Sequence, residues 1–310
     1  MHVAVCTKYG PPEVIKIEER QKPSPKDHEL LIRVIAATVQ TGDCKVRDLT
    51  GTASSQTKYN PVIKLLMRLI MGYNKPRNPV FGTELCGKIE AIGKKVTKHK
   101  VGDAVIVNAD VKMGAHAEYI VWREGKFVVN KPSNITCEQA AALSFGGIAT
   151  LHFLRKAHLQ KGQSILINGA SGTVGSSAVQ LAKYFGAIVT GVCGTDNVNL
   201  VKSIGADFVI DYTREPIEKS GKQYDVIFDA VGKISKKQCK DILKPNARYV
   251  TVLSGIVLGK HNDLVFLANL AEQGKYLPII DKCFKLDEIV EAHRYVDAGH
   301  KNGNVVIIIN

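Results

Sequence analysis

The sequence has no apolar stretch long enough to cross a membrane. Its longest aliphatic runs, such as Val305 to Ile309, fall far short of the ~18 residues that a membrane span needs. The opening residues, MHVAVCTKYG, have neither the basic segment nor the unbroken apolar segment of a secretory signal. These absences predict a cytoplasmic protein with no membrane partner.

Paired cysteines are also missing. The chain has seven cysteines, an odd number, and no CxxC pair occurs among them. Such scattered cysteines are typical of reduced, buried thiols and do not suggest a disulfide framework.

Runs of five or six like charges are absent, although the chain is basic. Lys plus Arg number 42 against 29 Asp plus Glu, which gives a net charge of +13. A basic surface attracts polyanions. Because the basic residues are spread out and are densest only at Lys94 to Lys100, the pattern favours a solvated surface over a nucleic-acid site.

The chain of 310 residues has 45% hydrophobic and 23% charged residues, so it is long enough for two globular domains of ~150 residues. Up to about Trp122, short alternating segments broken by Gly and Pro indicate an all-β domain. One exception, Pro61 to Met71, predicts a helix that either covers this domain or lies on a membrane surface.

From about Pro132 the pattern changes to alternating helices and strands, which predicts a parallel sheet with helices on both faces. The predicted helices are 137–156, 173–185, 198–204, 236–243 and 287–297, and the predicted strands are 164–168, 188–193, 208–211, 224–229, 248–253 and 304–309.

A glycine-rich turn between a strand and a helix is the most informative segment. The aliphatic strand that ends at Asn168 runs into GASGTVG, residues 169–175, and then into an amphipathic helix. Gly172 would let the backbone approach a pyrophosphate, and Gly175 would permit close packing of helix on strand. Ala170 occupies the first glycine position of the dinucleotide fingerprint. The alternative is an ordinary strand–helix turn with packing glycines.

The end of the next strand predicts NADPH rather than NADH. An acidic residue there would accept the ribose hydroxyls and repel a 2′-phosphate. The strand instead ends at Cys193, and Thr195, Asn197 and Tyr212 could donate hydrogen bonds to a phosphate. Asp196 argues mildly for NADH.

The chain resembles, over essentially its whole length, the medium-chain dehydrogenases/reductases of the zinc-independent branch that includes the quinone oxidoreductases. The segments that carry the resemblance are VQTGDCKVRDLTG (residues 39–51), PVFGTELCGKIEAIG (79–93), VGDAVIV (101–107), AALSFGGIATLHFL (141–154), GASGTVGSSAVQLAKYFGA (169–187), GADFVIDY (205–212), YDVIFDAVG (224–232) and EAHRYVDAGHKNGNVVI (291–307).

The resemblance implies an α/β fold with two domains. A GroES-like, mainly β domain would span residues 1–122 with a return segment at 284–310, and a doubly wound Rossmann domain would span 123–283. The active site would lie in the cleft between the two domains. The segment from Val252 to Leu264 is shorter than in the family, which suggests that a strand and a helix are missing at the edge of the sheet. Because that edge supports dimers in the family, the sequence leaves open whether the chain forms a homodimer.

Zinc-dependent relatives place a cysteine in a C-G-T-D motif and a histidine in a G-H-E motif. This chain has Gln40 and Thr83 at those positions, and it lacks the four-cysteine lobe of their structural zinc. The resemblance therefore implies no metal.

The resemblance also implies which residues form the site. The cofactor-binding candidates are Thr150, Ala170, Ser171, Gly172, Thr173, Val174, Gly175, Cys193, Thr195, Asn197, Tyr212, Val231, Leu253 and Asn304. The catalytic candidates are Asp43, Lys45, Arg47 and Tyr59, of which the first three favour a structural or positioning role.

The predicted function is hydride transfer from NADPH to a small quinone or α,β-unsaturated carbonyl without zinc, because such acceptors need no Lewis acid. One alternative is a zinc-free alcohol or enoyl-thioester reductase. Another is a non-catalytic NADPH-binding protein, either crystallin-like or RNA-binding.

Overall fold

The computed structural model describes residues 1–49, 61–257 and 259–309. The strands of these residues are β1 (His2–Cys6), β2 (Ile15–Glu19), β3 (Glu29–Val39), β4 (Glu84–Ile92), β5 (Ala104–Asn108), β6 (Tyr119–Arg123), β7 (Val128–Asn130), β8 (Ser164–Asn168), β9 (Ile188–Cys193), β10 (Phe208–Asp211), β11 (Tyr224–Asp229), β12 (Leu243–Thr251), β13 (Ile280–Lys285) and β14 (Asn304–Ile308). The α-helices are α1 (Thr41–Arg47), α2 (Pro61–Met71), α3 (Cys137–Ala141), α4 (Ser144–Lys156), α5 (Thr173–Tyr184), α6 (Val198–Ser203), α7 (His261–Glu272) and α8 (Ile289–Asp297).

The first unit comprises the chain up to Ala142 and its last part from Ile280. Its main sheet has the order β13-β14-β3-β4-β5-β7, with β6 also pairing with β3, and β1 and β2 form a separate antiparallel pair. The pairing of β14 with β3 is antiparallel and brings the end of the chain back to the first domain, as the resemblance implied. Residues of β3, β4, β5 and β14 form the buried core.

The limits of this unit differ from the predicted 1–122 and 284–310. Strand β7 pairs with β5, and α3 packs on β3 and β4, so the chain stays in the first unit up to Ala142. At the other end, β13 pairs in parallel with β14 and begins at Ile280. Backbone pairing therefore sets both limits.

The second unit spans Leu143–Ile279 and contains a five-stranded parallel sheet in the order β10-β9-β8-β11-β12. Ile165, Leu166 and Ile167 of the central strand β8 are all fully buried. A parallel strand with no exposed face requires cover on both sides, which the helices provide. The strand order reverses at β8, which is the feature of a doubly wound sheet. The predicted α/β class and Rossmann domain are confirmed.

Two predicted helices differ from the structure. The predicted helix 137–156 is divided into α3, which ends at Ala141 with Ala142 as its C-cap, and α4, which begins at Ser144. The predicted helix 236–243 is wrong. Only Cys239 and Ile242 of that segment are buried in the core, which anchors one 3-10 turn, and β12 begins at Leu243.

The predicted helix Pro61–Met71 is confirmed as α2. Leu65, Leu69 and Ile70 on this helix are more than half exposed. Among the described residues, no helix has both the length and the apolar character needed to span a bilayer.

A buried polar cluster joins α1 to α8. Arg47 is fully buried, its Nε donates to the Gly10 carbonyl, and its Nη2 donates to Asp297 at 2.5 Å. Arg47 Nη1 lies 3.1 Å from Nδ1 of His293. Because a guanidinium only donates, Nδ1 must accept, so His293 is neutral. Burial, followed by the neighbouring His116 and Arg47, lowers the pKa of His293 well below 6.5.

This cluster makes the fold sensitive to acid. Because the pKa of His293 is lower in the folded chain, the unfolded chain binds an extra proton at pH values below 6.5, and stability falls as the pH falls. We expect His293→Gln, which keeps an acceptor near Arg47, to remove up to about 1.4 kcal/mol per pH unit from this slope. Urea unfolding at several pH values between 7 and 5 measures it, and parallel profiles for the two proteins would contradict the prediction.

Candidate functional site

The glycine turn after β8 leaves almost no space for side chains. Gly169 has a φ of +76°, and a Cβ on Gly175 would lie 2.0 Å from the Gly169 carbonyl oxygen. Both positions therefore require glycine. At Gly172, by contrast, the nearest atom to an added Cβ is the Gly169 oxygen at 3.6 Å, which is an ordinary contact.

Helix α5 begins directly after this turn. Gly172 occupies the N-cap position and has no side chain with which to cap the helix. The first-turn N–H groups of a helix have no intrahelical acceptors, and the helix dipole places partial positive charge there. Ala170 is fully buried, and a Cβ on Gly191 of β9 would lie 3.0 Å from its methyl group. An uncapped helix start above a close backbone turn fits the pyrophosphate of a dinucleotide.

The remaining residues of the predicted turn follow this arrangement. Ser171 and Val174 are half-buried at the start of α5, whereas Thr173 is buried in its first turn. The turn from Ala170 to Gly175 thus lies at the carboxyl edge of the sheet, beside β8.

Asp229 at the end of β11 shapes the adjacent loop, and it is not among the site residues predicted from the sequence. It is fully buried, and its Oδ1 accepts hydrogen bonds from Asn168 Nδ2 at 2.9 Å and from the Gly232 amide at 3.0 Å. The loop places Val231 Cγ1 2.4 Å from the position that a Cβ on Gly169 would occupy. In the sequence, the feature that could have indicated this role is an acidic residue at the end of an apolar strand, in YDVIFD.

Leu253 joins the same edge. It follows β12, it is exposed, and its side chain lies against Gly232. Val231 and Leu253 thus follow the carboxyl ends of the neighbouring strands β11 and β12.

The ends of β9 and β10 form the predicted adenosine side of the site. Cys193 is buried, and burial raises the pKa of its thiol to about 11, so the thiol is uncharged at neutral pH. Thr195 donates a hydrogen bond to Asp211 at 2.6 Å. The Tyr212 hydroxyl lies 3.5 Å from the position of a Cβ on Gly194. Asn197 ends the 3-10 turn that follows.

Asp211 and Arg214 were not predicted from the sequence. Hydrogen bonds from Thr195 and Thr213 hold the pKa of the Asp211 carboxyl below its usual value. Arg214 is exposed and its Nε lies 3.4 Å from Asp211. The Asp211 carboxylate is therefore occupied by its neighbours, and Arg214 adds a cation at this end of the sheet.

Thr150 and Asn304, two further cofactor-binding candidates, each have hydrogen-bond partners within their own unit. Thr150 is fully buried in α4 and its hydroxyl donates to the Val174 carbonyl at 3.1 Å, so it braces α4 against α5. Asn304 belongs to the first unit, where its buried Oδ1 accepts from Gln40 Nε2 at 3.2 Å. Both assignments stay predictions.

Gln40 organises a buried polar cluster in the first unit. Its Nε2 and the Thr38 hydroxyl each donate to Glu84 Oε1 at 2.8 Å. Burial lowers the pKa of the nearby Lys301 to about 8, although Cys44, Asp281 and Glu84 oppose this change. Lys301 is not among the site residues predicted from the sequence.

The family's zinc position does not fit zinc in this chain. Gln40 offers an amide that already donates to Glu84, and Thr83 offers an alcohol that has no hydrogen-bond partner within the described residues. Zinc sites in proteins use thiolates, imidazoles and carboxylates. Across residues 1–49, 61–257 and 259–309, no three His, Cys, Asp or Glu side chains converge as a metal site would require.

Three catalytic candidates lie on α1, with different environments. Asp43 is fully buried and accepts from the Gln40 amide at 2.8 Å and the Gly82 amide at 3.1 Å. Burial raises the pKa of Asp43, which His116 and these amides oppose. Asp43 and Arg47 are thus buried and held by hydrogen bonds, whereas Lys45 is exposed. Tyr59 lies outside the described residues.

Comparisons with known proteins agree with this architecture. The model of the alcohol dehydrogenase GroES-like domain matches residues 26–163, and two zinc-binding dehydrogenase models match 173–276 and 253–307. A 2-methylene-furan-3-one reductase of Solanum lycopersicum is 32% identical over 97% of this chain and 77% of its own length. The chain belongs to the medium-chain dehydrogenase/reductase family.

Other members of this medium-chain family carry informative names. The NADPH-dependent alkenal/one oxidoreductase of Arabidopsis thaliana is 32% identical over 99% of this chain and 79% of its own length. The structure of the quinone oxidoreductase from Coxiella burnetii has a TM-score of 0.84 at 25% identity and covers 100% of this chain and 99% of that one. Within the family, these comparisons place the chain in the quinone oxidoreductase branch.

Proposed function

We propose that this chain is an NADPH-dependent, zinc-independent reductase that transfers hydride to a quinone or an α,β-unsaturated carbonyl. The observation that carries the proposal is the uncapped start of α5 above the turn in which Gly175 approaches the Gly169 carbonyl. The relatives named for alkenal/one and quinone reduction support the substrate class.

Different residues contact different parts of the bound NADPH. The first turn of α5 holds the pyrophosphate, and Val231 and Leu253 line the adjoining edge. Bound NADPH supplies the hydride. Asp229 fixes the loop that presents Val231, because it accepts bonds from the amides of that loop.

The donor set at the family's zinc position favours acceptors that need no Lewis acid. Gln40 and Thr83 cannot replace a thiolate and an imidazole as zinc ligands. Quinones and enones accept hydride without metal activation of a carbonyl, whereas simple ketones benefit from it. This supports a zinc-free reductase of activated acceptors.

Arg214 supports the preference for NADPH. A guanidinium binds phosphate with charge-assisted hydrogen bonds, and Arg214 pairs with Asp211, the last residue of β10, which also accepts a hydrogen bond from Thr195 after β9. We expect Arg214→Ala to raise the KM for NADPH about tenfold, a cost of about 1.4 kcal/mol, and to leave the KM for NADH nearly unchanged.

The control for this prediction is Arg214→Lys, which keeps the charge and should retain part of the preference. Initial rates with both cofactors measure the ratio. An equal change for NADPH and NADH would mean that Arg214 does not read the 2′-phosphate.

The experiment that tests the function follows the loss of NADPH absorbance with ortho-quinones, para-quinones and enones, repeated with NADH and with a chelator. We expect chelator-resistant turnover that prefers NADPH. If only simple ketones, aldehydes or enoyl thioesters are reduced, the protein is the alternative alcohol or enoyl-thioester reductase. Tight NADPH binding without any turnover would favour a non-catalytic binding protein. RNA affinity that falls steeply with salt would identify an RNA binder.

The cytoplasmic location and the homodimer stay predictions.

A further inference from the structure

Helix α2 presents large apolar side chains to solvent. Leu65 is 52% exposed, Leu69 is 56% exposed, and Ile70 is 73% exposed. Leu65 and Leu69 are four positions apart, so they lie on one face of the helix, and Ile70 extends this face by one position. Removing such side chains from water is favourable, so a cluster of them on the surface marks a place where another body binds.

The carboxyl end of α2 is fixed to the first unit. The Tyr9 hydroxyl donates to the Gly72 carbonyl at 2.9 Å. The amide of Arg77 donates to the Met71 carbonyl at 2.7 Å, and its Nη2 donates to the Leu69 carbonyl at 3.0 Å. These three bonds hold the last turn of the helix with its apolar side chains exposed.

The apolar surface continues beyond the helix. Tyr73 is 63% exposed, and Val111 is 83% exposed. The side chain of Asn78 donates to the Lys112 carbonyl, which places the loop that carries Val111 beside the segment that follows α2. We call the exposed residues Leu65, Leu69, Ile70, Tyr73 and Val111 the α2 face.

The charges around the α2 face are mostly positive. The sequence from Leu49 to Thr83 has no Asp or Glu, and its basic residues are Lys58, Lys64, Arg68, Lys75 and Arg77. Lys75, Arg77 and Lys112 are exposed next to the apolar residues in the chain, and they outnumber the one acid beside Val111, Asp110. An amphipathic helix that combines large apolar side chains with Lys and Arg is suited to the surface of an anionic membrane.

We propose that the α2 face binds the surface of a membrane that contains anionic lipids. Leu69 and Ile70 enter the boundary between the headgroups and the acyl chains, while Lys75 and Lys112 lie at the level of the lipid phosphates. Such binding requires no spanning helix. A second copy of the chain fits this face less well, because each copy carries a net charge of +13 and the two repel each other.

The test mixes the full-length protein with lipid vesicles, without NADPH, and measures the bound fraction by sedimentation. One set of vesicles is phosphatidylcholine alone, and the other contains about one-third phosphatidylserine. We expect binding to the anionic vesicles to be at least about tenfold tighter, because each basic residue near the surface contributes about fivefold. Added salt should weaken it, since the screening length falls from about 10 Å at 0.1 M to about 3 Å at 1 M.

Two pairs of variants separate the apolar contribution from the electrostatic one. Leu69→Ser combined with Ile70→Ser should weaken binding at least about tenfold, because both side chains lose their contact with the acyl chains. Lys75→Gln and Lys112→Gln should each weaken binding about fivefold at low salt and have little effect at high salt.

Matched controls come from another surface of the same unit. Val101 is 56% exposed and Lys98 is exposed, and neither belongs to the α2 face. Val101→Ser and Lys98→Gln should therefore bind the anionic vesicles like the wild type. Circular dichroism of every variant should coincide with that of the wild type, because all the substituted side chains are at least half exposed or charged at the surface.

Three results would overturn the proposal. The first is equal binding to both kinds of vesicle, or to neither. The second is an equal loss in the α2-face variants and in their controls. The third is a dimer, detected by analytical ultracentrifugation without vesicles, that Leu69→Ser with Ile70→Ser converts to a monomer, because a second copy then covers the face. None of these results depends on the proposed reductase, because no NADPH enters the assay.

Discussion

Gly175→Ala is expected to abolish NADPH binding. The added methyl group would lie 2.0 Å from the Gly169 carbonyl oxygen, which is backbone and cannot rotate away. The start of α5 must then move from the turn, and the N–H groups that face the pyrophosphate move with it. We expect the Kd for NADPH to rise at least about 100-fold, or about 2.7 kcal/mol. Fluorescence titration of NADPH measures it.

Gly172 offers a matched control three residues earlier. Its φ of −76° suits any residue, and an added Cβ would meet only the Gly169 oxygen at 3.6 Å. Gly172→Ala should therefore bind NADPH within a few fold of the wild type. Gly172→Glu should lose binding, because it adds bulk and negative charge against the pyrophosphate. Equal losses for Gly172→Ala and Gly175→Ala would show that the close packing at Gly175 is not what the site requires.

Arg47→Met is expected to destabilise the first unit severely. The substitution leaves the Asp297 carboxylate and the Gly10 carbonyl without the donors that Arg47 provides. Arg47 is fully buried and Asp297 is 11% exposed, so water replaces these bonds poorly. Breaking such a buried pair costs about 3–5 kcal/mol of unfolding free energy. Urea denaturation followed by circular dichroism measures this loss.

Lys45→Met, two residues away on the same helix, removes a charge that is exposed. It should change the unfolding free energy by no more than about 0.5 kcal/mol. The comparison also tests the role of Arg47 in catalysis. If Arg47 has only a structural role, the Arg47→Met protein that remains folded at low temperature should have the same kcat for a quinone as the wild type. A stable Arg47→Met protein with a large loss of kcat would make Arg47 a catalytic residue.

The glycine turn was readable from the sequence because its signal is local. The aliphatic strand, the turn 169–175 and the amphipathic helix are adjacent in the chain, and each follows a periodicity that backbone geometry imposes. Gly175 could be identified as a packing glycine from its spacing alone. The structure adds the atom that it approaches, the Gly169 carbonyl oxygen.

Residues that act through distant partners could not be found in this way. Asp229 is 61 positions from Asn168, and Arg47 is 250 positions from Asp297. The predicted helix at 236–243 was wrong for a related reason, because only Cys239 and Ile242 of that segment are buried in the core. Local propensity cannot report which side chains a core accepts.

The sequence by itself determined the two-part organisation, the parallel sheet with its glycine turn and the absence of cysteine and histidine at the family's zinc positions. These depend on residue order and chemical type. The tertiary structure decided that Asp43 and Arg47 are buried and hydrogen-bonded, and that Thr150 braces α4 against α5. Burial and pairing decide the protonation state and accessibility of a side chain, and both depend on partners that only folding brings together.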